Sequence, residues 1–237
     1  MKILLTGGSG NLGSEILKIY DAKNLQIVAP SSEDLNILSK PIIVNNFDII
    51  IHAAALTNTV EAESNFSKAN KLNVLGTMNM LDFAKINNSK FVYISTDYVF
   101  DGLGGPYSVG DKINPISNYA KSKAAGEMCS LAYDNSVILR TSFCPSIFPY
   151  EKAFDDQWTS RDYVDIIAPM ILNASVNFNP GIYHIGTERK TVYDLALRRK
   201  FVYPIKRSDV KSKVDIPRDT SFRSEDSEEF WKIWGDR

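Results

Sequence analysis

Tyr119 and Lys123 stand four residues apart in the stretch Asn118-Tyr-Ala-Lys-Ser-Lys-Ala-Ala-Gly126. On a helix this spacing is just over one turn, so both side chains share a face. An ammonium beside a phenol stabilises the phenolate and lowers its pKa from about 10. A tyrosine in that setting can move a proton to or from a reacting oxygen near neutral pH. A second polar group, Ser95-Thr96-Asp97, directly follows the apolar run 91–94. If that run is a strand of an open parallel sheet, its carboxyl end faces the ligand side. A hydroxyl there can donate to a carbonyl oxygen held beside Tyr119.

A third group sits at the start of the chain. Gly7, Gly10 and Gly13 follow the apolar run Ile3-Leu4-Leu5 and open a helical pattern over 11–20. Strand, glycine turn and helix in this order form a nucleotide-binding unit. The first glycine permits the tight turn, the second lets backbone approach a pyrophosphate, and the third allows close helix–sheet contact. The helix start then offers unpaired N–H groups and partial positive charge to the phosphates. Ser9, within this turn, is a further candidate for contact with the cofactor. Dinucleotide sites selective for NAD carry an acid after the second strand, for the ribose 2′-hydroxyl. Here the second strand ends Val28-Ala29-Pro30-Ser31-Ser32, with no carboxylate at that point. Serines, Ser31 among them, can hydrogen-bond a 2′-phosphate, so NADP(H) is preferred and NAD(H) remains possible.

Positioning these groups requires a layered scaffold. Apolar runs at 3–5, 25–29, 48–52, 91–94 and 136–140 alternate with helical patterns at 11–20, 66–87 and 117–133. That rhythm predicts a Rossmann-type, doubly wound α/β fold with a parallel sheet and right-handed crossovers. After residue 142 the rhythm breaks. Residues 143–160 hold two prolines and several aromatics without clear period, a helix is expected over 162–174 and a late strand over 181–185. The organisation read here is a cofactor-binding domain over 1–142 and a small substrate lobe over 143–237, with 162–186 packing back on the sheet. The tail from 204 is charged and polar, with a short helix expected at 228–234.

Composition narrows the partners. The formal net charge of −1 favours neither nucleic acid nor an anionic membrane. No apolar run reaches membrane-spanning length, and the brief apolar start is ended by glycines, so the expected location is the cytoplasm. Cys129 and Cys144 read as reduced thiols, and His52 and His184 as structural residues rather than metal ligands.

The groups together resemble a known family. Thr6-Gly-Gly-Ser-Gly-Asn-Leu-Gly13, His52-Ala-Ala-Ala55, Ser95-Thr-Asp-Tyr-Val-Phe-Asp-Gly102 and Tyr119-Ala-Lys-Ser-Lys123 are similar to the extended short-chain dehydrogenase/reductases, most of all to the dTDP-4-dehydrorhamnose reductases. The likeness continues through 156–164, 181–186 and 217–221. It implies reduction of the 4-keto group of a nucleotide-linked deoxysugar by a reduced nicotinamide cofactor. It implies that Gly7, Gly10, Asn11, Leu12 and Gly13 line the pyrophosphate, that Asp34 and Leu35 sit by the adenine, and that Ala53, Ala54 and Ala55 form a backbone shelf. Thr96 is then the catalytic hydroxyl with Asp97 beside it at the sugar, and Tyr119 and Lys123 complete the catalytic group while touching the cofactor. Phe143 stands where the family often has a tryptophan near nicotinamide and sugar. The segment after Phe143 is short for the family, which implies a reduced pocket wall or a different nucleotide sugar. Two other readings are an epimerase or dehydratase of the same superfamily and a non-enzymatic NADP-binding regulatory subunit. A homodimer through helices flanking the sheet is the expected assembly.

Overall fold

The computed structural model describes residues 1–20, 24–40 and 46–223. The helix expected at 228–234 lies outside the described residues. The first half follows the strand–helix alternation: β1 (Lys2–Thr6), α1 (Asn11–Ile19), β2 (Gln26–Val28), β3 (Ile49–His52), α2 (Thr59–Ser64), α3 (Phe66–Asn70), a π-helical turn (Lys71–Leu75), α4 (Gly76–Asn87), β4 (Lys90–Thr96), α5 (Asn118–Leu131) and β5 (Ser136–Thr141). The second half adds β6 (Phe143–Cys144), β7 (Lys152–Phe154), β8 (Trp158–Thr159), β9 (Asp162–Tyr163), α6 (Val164–Asn177), β10 (Gly181–Ile185), β11 (Lys190–Thr191), α7 (Val192–Leu197) and β12 (Tyr203–Ile205).

Six strands form one sheet in the order β10-β5-β4-β3-β1-β2, and every pairing is parallel. Strand β1 explains why both faces are covered. Ile3 and Leu5 point into one core with Leu12 and Ile16 of α1 and Ile167, Ala168 and Ile171 of α6. Leu4 points into the other, with Met80, Phe83 and Ala84 of α4. A continuous apolar run is the sequence form such a doubly covered strand takes. The strand order reverses direction between β1 and β3, and ligands of open α/β sheets bind in the crevice at such a switch point.

Three features depart from the sequence reading. The helical region expected from 66 begins at Thr59 and is interrupted by the π-helical turn. The region 143–160, read as aperiodic, holds three short strands in two-stranded pairings: β6 with β9, β7 with β12 and β8 with β11. Strands of two or three residues are too short to show a period. Helix α7 was not anticipated; its six residues sit behind a Thr191–Asp194 capping box, a local signal that marks helix starts.

Candidate active site

The glycine turn meets the geometric demands placed on it. Gly7 has φ +75°, and a Cβ on Gly13 would stand 2.3 Å from the Gly7 carbonyl oxygen. Helix α1 starts from Gly10 with no side-chain cap and no acid in its first turn. Its first N–H groups are therefore left for a ligand, and its dipole favours an anion. The fold thus carries a cradle fitted to a pyrophosphate.

The turn lines one wall of a cleft of about 870 Å³ at the carboxyl ends of β1, β3, β4 and β5. Of the residues expected at the cofactor, Gly7, Ser9, Gly10, Asn11, Leu12, Gly13, Leu35, Ala53, Ala54, Ala55, Tyr119 and Lys123 all line it. Ser31 and Asp34 do not. The Ser31 hydroxyl donates to the Asp34 carboxylate at 2.7 Å and accepts from the Asp34 N–H at 3.2 Å, so the two close a turn on each other. Pro30, Ser32 and Asn36 face the cleft instead. Thr96, Asp97 and Phe143 line the same cleft.

The two hydroxyls left open by the sequence have different neighbours. Ser95 donates to the buried Glu127 carboxylate at 2.6 Å. Thr96 accepts from the Tyr98 N–H at 3.2 Å and donates loosely, at 3.3 Å, to Asp97. Thr96 is also the hydroxyl that pulls the Tyr119 pKa down. Alternation along β4 puts the two on opposite sides.

Helix α5 is held firmly where it carries Tyr119 and Lys123. Ser117 caps it by accepting from the Ala120 N–H at 3.2 Å. Glu63 accepts from the Asn118 N–H at 3.0 Å. Further along, Glu127 is fully buried and forms a 2.6 Å ion pair with Arg140 of β5. Removing one partner of such a pair leaves a buried charge uncompensated, so α5 is fixed against the sheet at that point.

The electrostatics correct one expectation. Burial pushes the Tyr119 phenol up to about 12, with Thr96 pulling it down and Asp97 pushing it further up. Burial likewise lowers Lys123 to about 7, against the pull of Glu127. The Lys123 ammonium lies over the Tyr93 ring, 4.2 Å from its centre. Desolvation therefore outweighs the anticipated stabilisation of phenolate by ammonium. A phenol held protonated is suited to giving a proton, not to taking one.

Sequence reasoning missed several residues that shape this cleft. Arg161 donates to Ser142 at 2.8 Å and to the Tyr98 hydroxyl at 3.4 Å. Gln157 donates to the same hydroxyl at 3.4 Å. Burial opposes the Arg161 charge, but Tyr98 and Asp97 more than offset that, so its pKa lies above the ordinary guanidinium value. Burial raises the Asp97 pKa, with Arg161 and Thr220 pulling it down. Thr220 donates to Asp97 at 2.7 Å across 123 residues of sequence. The available signal was the position of Arg161 within the stretch 156–164, which shares the family likeness. Thr220 lies in the stretch 217–221 that shares the family likeness, but nothing local to it points to Asp97. Cys129 and Cys144 are both free thiols, and no group of side chains among the described residues is arranged to hold a metal. No helix among them is long and apolar enough to cross a membrane.

Residues 1–148 match the family described as the RmlD substrate binding domain. The chain belongs to the RmlD family. This RmlD chain is 37% identical over 150 residues to the dTDP-4-dehydrorhamnose reductase of Aggregatibacter actinomycetemcomitans, a match covering 60% of this chain and 51% of that protein. The match thus spans about half the length of that relative. Among solved structures, a dTDP-4-dehydrorhamnose reductase from Clostridium acetobutylicum superposes with TM-score 0.87 at 27% identity, over 97% of this chain and 92% of that one. The dTDP-4-dehydrorhamnose reductase of Bacillus anthracis, solved in complex with NADP, gives 0.83 at 25% identity, over 94% and 90%. The RmlD chain therefore parallels the Clostridium structure through its second half as well.

Proposed function

We propose that this chain reduces the C4 ketone of a nucleotide-linked deoxysugar with NADPH, a reaction of the dTDP-4-dehydrorhamnose reductase type that serves nucleotide-sugar and polysaccharide synthesis in the cytoplasm. The observation that carries the reading is the convergence of a pyrophosphate cradle and the Thr96–Tyr119–Lys123 group on one cleft. Residues 1–142 hold the cofactor and 143–237 supply the sugar side, with Phe143 and Asp97 at the boundary. Family membership and the NADP complex of the Bacillus relative support the same assignment. No carboxylate lines the cleft after β2, where Pro30 and Ser32 stand, and this supports NADP(H) over NAD(H).

When bound, the reduced nicotinamide supplies a hydride to the ketone carbon. Thr96 and Tyr119 hydrogen-bond the carbonyl oxygen as it gains negative charge, an effect worth about 3 kcal/mol per donor. Tyr119 then gives its proton to that oxygen, completing the alcohol. Lys123 holds the nicotinamide ribose and its charge assists proton release from Tyr119. Arg161, Tyr98 and Gln157 orient the sugar from the other wall.

The test is incubation with a dTDP-4-keto-6-deoxysugar and each cofactor in turn. NADPH should be consumed in step with alcohol formation, and should bind at least about tenfold, or 1.4 kcal/mol, more tightly than NADH. Equal or tighter binding of NADH would overturn the cofactor assignment. Turnover with no net loss of NADPH would point to an epimerase or dehydratase. Tight NADPH binding with no turnover on any keto sugar nucleotide would point to a regulatory subunit.

A homodimer belongs to the same reading. Helix α4 exposes Met78 and helix α5 exposes Met128 and Leu131, apolar side chains that a second copy would cover. Sedimentation at micromolar concentration should give a dimer, and Met78→Glu with Met128→Glu should return a monomer; an unchanged sedimentation coefficient would place the interface elsewhere.

A further inference from the structure

We propose that His52 is a positioning residue that locks the cofactor cradle to the helix carrying Tyr119, through a one-way chain of buried hydrogen bonds. The inference rests on the reading above for what the two ends do, but its geometry stands apart from it.

The chain can be followed atom by atom. The Ala54 N–H donates to the Thr6 hydroxyl at 3.2 Å. Thr6 lies 2.9 Å from His52 Nδ1, and His52 Nε2 lies 3.2 Å from the Thr77 hydroxyl. Thr77 donates to the Asn73 carbonyl at 2.7 Å. The Asn73 side chain accepts from the Leu56 N–H at 2.7 Å and donates to the Leu56 carbonyl at 3.1 Å and the Ser122 hydroxyl at 2.9 Å. Ser122 donates to the Tyr119 carbonyl at 2.7 Å. Thr6, Asn73, Thr77, Ser122 and His52 are each no more than 3% exposed, so water cannot replace a lost partner.

Elementary bookkeeping of hydrogens fixes the direction. A carbonyl only accepts, so the single Thr77 hydrogen goes to Asn73. His52 Nε2 must then carry a hydrogen and donate it to Thr77. In a neutral imidazole Nδ1 is thereby the acceptor, and it takes the Thr6 hydrogen. The ring is neutral here: burial and the neighbouring Lys123 hold its pKa down at about 3. Protonation would set two donors face to face at Thr6 and put a second cation beside Lys123. The aromatic rings of Phe91 and Tyr93 pack beside the imidazole and complete its apolar surroundings. The hydroxyl of Tyr93 is spent on the Lys123 carbonyl at 3.0 Å.

The placement of the ends gives the chain its purpose. Thr6 immediately precedes the turn glycine Gly7, and Ala54 is in the shelf on the cleft. Ser122 lies between Tyr119 and Lys123 on α5. The π-helical turn (Lys71–Leu75) carries Asn73, and π turns recur at functional positions. A cofactor seated on the glycine turn is therefore held in register with Tyr119 and Lys123 by one continuous network rather than by two independent supports.

Thr77→Val keeps volume and breaks the chain at its middle; His52→Leu breaks it at the ring. Calorimetric titration with NADPH and steady-state turnover would be measured for each and for the pair. Each single variant should weaken NADPH binding and lower kcat by about tenfold, the scale of coupling within one network. The double variant should be no more than about twofold worse than either alone, because the link is already cut. His52→Gln, whose amide N–H reaches toward Thr77 as Nε2 does, should recover most of the His52→Leu loss. Wild-type affinity and kcat in Thr77→Val, or losses that multiply in the double variant, would overturn the proposal. If wild-type protein binds NADPH yet reduces no keto sugar, the reductase reading fails while the binding arm still decides the question of the chain.

Discussion

Tyr119→Phe is expected to lower turnover by about 10²- to 10⁴-fold, the range that positioned proton transfer contributes, while NADPH affinity stays near that of the wild type. The argument is chemical and local. The phenol is the group beside Thr96 whose proton is held, at a pKa of about 12, through the whole neutral range. In the reductive direction the reacting form is the neutral phenol, so burial keeps the donor loaded. The cost is a weaker acid than one tuned to the working pH. Lys123, lowered to about 7 by burial, gains or loses charge in the same range, and its charged form would ease release of the Tyr119 proton. Phenylalanine keeps the ring and its packing but has no proton to give. Turnover and NADPH titration on the same preparation separate the two effects, and an unchanged kcat would remove Tyr119 from the chemistry.

Gly13→Ala is expected to abolish tight NADPH binding by distorting the turn before any ligand arrives. The added methyl would stand 2.3 Å from the Gly7 carbonyl oxygen and 2.6 Å from the Gly8 Cα. Both are backbone atoms, so neither can swing aside, and α1 must move away from the turn. Forced overpacking of this kind costs about 1–3 kcal/mol or more. The affinity loss should therefore be at least about 10- to 100-fold, with a lower melting temperature. Gly110→Ala is the matched control, since nothing lies within 4 Å of its added methyl. A Gly13→Ala protein that binds NADPH normally would show that close helix–turn approach is dispensable.

The parts of the molecule that were legible in sequence are those written in local patterns. The doubly covered strand β1, the glycine turn, and the Tyr119–Lys123 spacing each occupy a few consecutive residues and obey one period. The choice of Thr96 over Ser95 came from the family resemblance and not from the local pattern, because its physical ground is Glu127, a residue 32 positions from Ser95. The partnership of Ser31 with Asp34 was hidden for the opposite reason: hydroxyls able to bind a phosphate are equally able to close a turn. The direction of the Tyr119 shift was misread because spacing on a helix reveals a charged neighbour but not the loss of water around both groups. Arg161 and Thr220 come from segments whose elements are too short to declare themselves.

The bond from Thr220 to Asp97 has a bearing on how the molecule is made. It joins residues separated by 123 positions, and Thr220 follows every strand of the six-stranded sheet. On a ribosome, where synthesis runs from the N-terminus at about 5–20 residues per second, the glycine turn and every strand of the parallel sheet are synthesised before Thr220. Contacts of such long separation are the slow ones in folding. The glycine turn can therefore form in the nascent chain while Asp97 still lacks its clasp. The glycine turn is thus complete before the segment that carries Thr220 can close on Asp97.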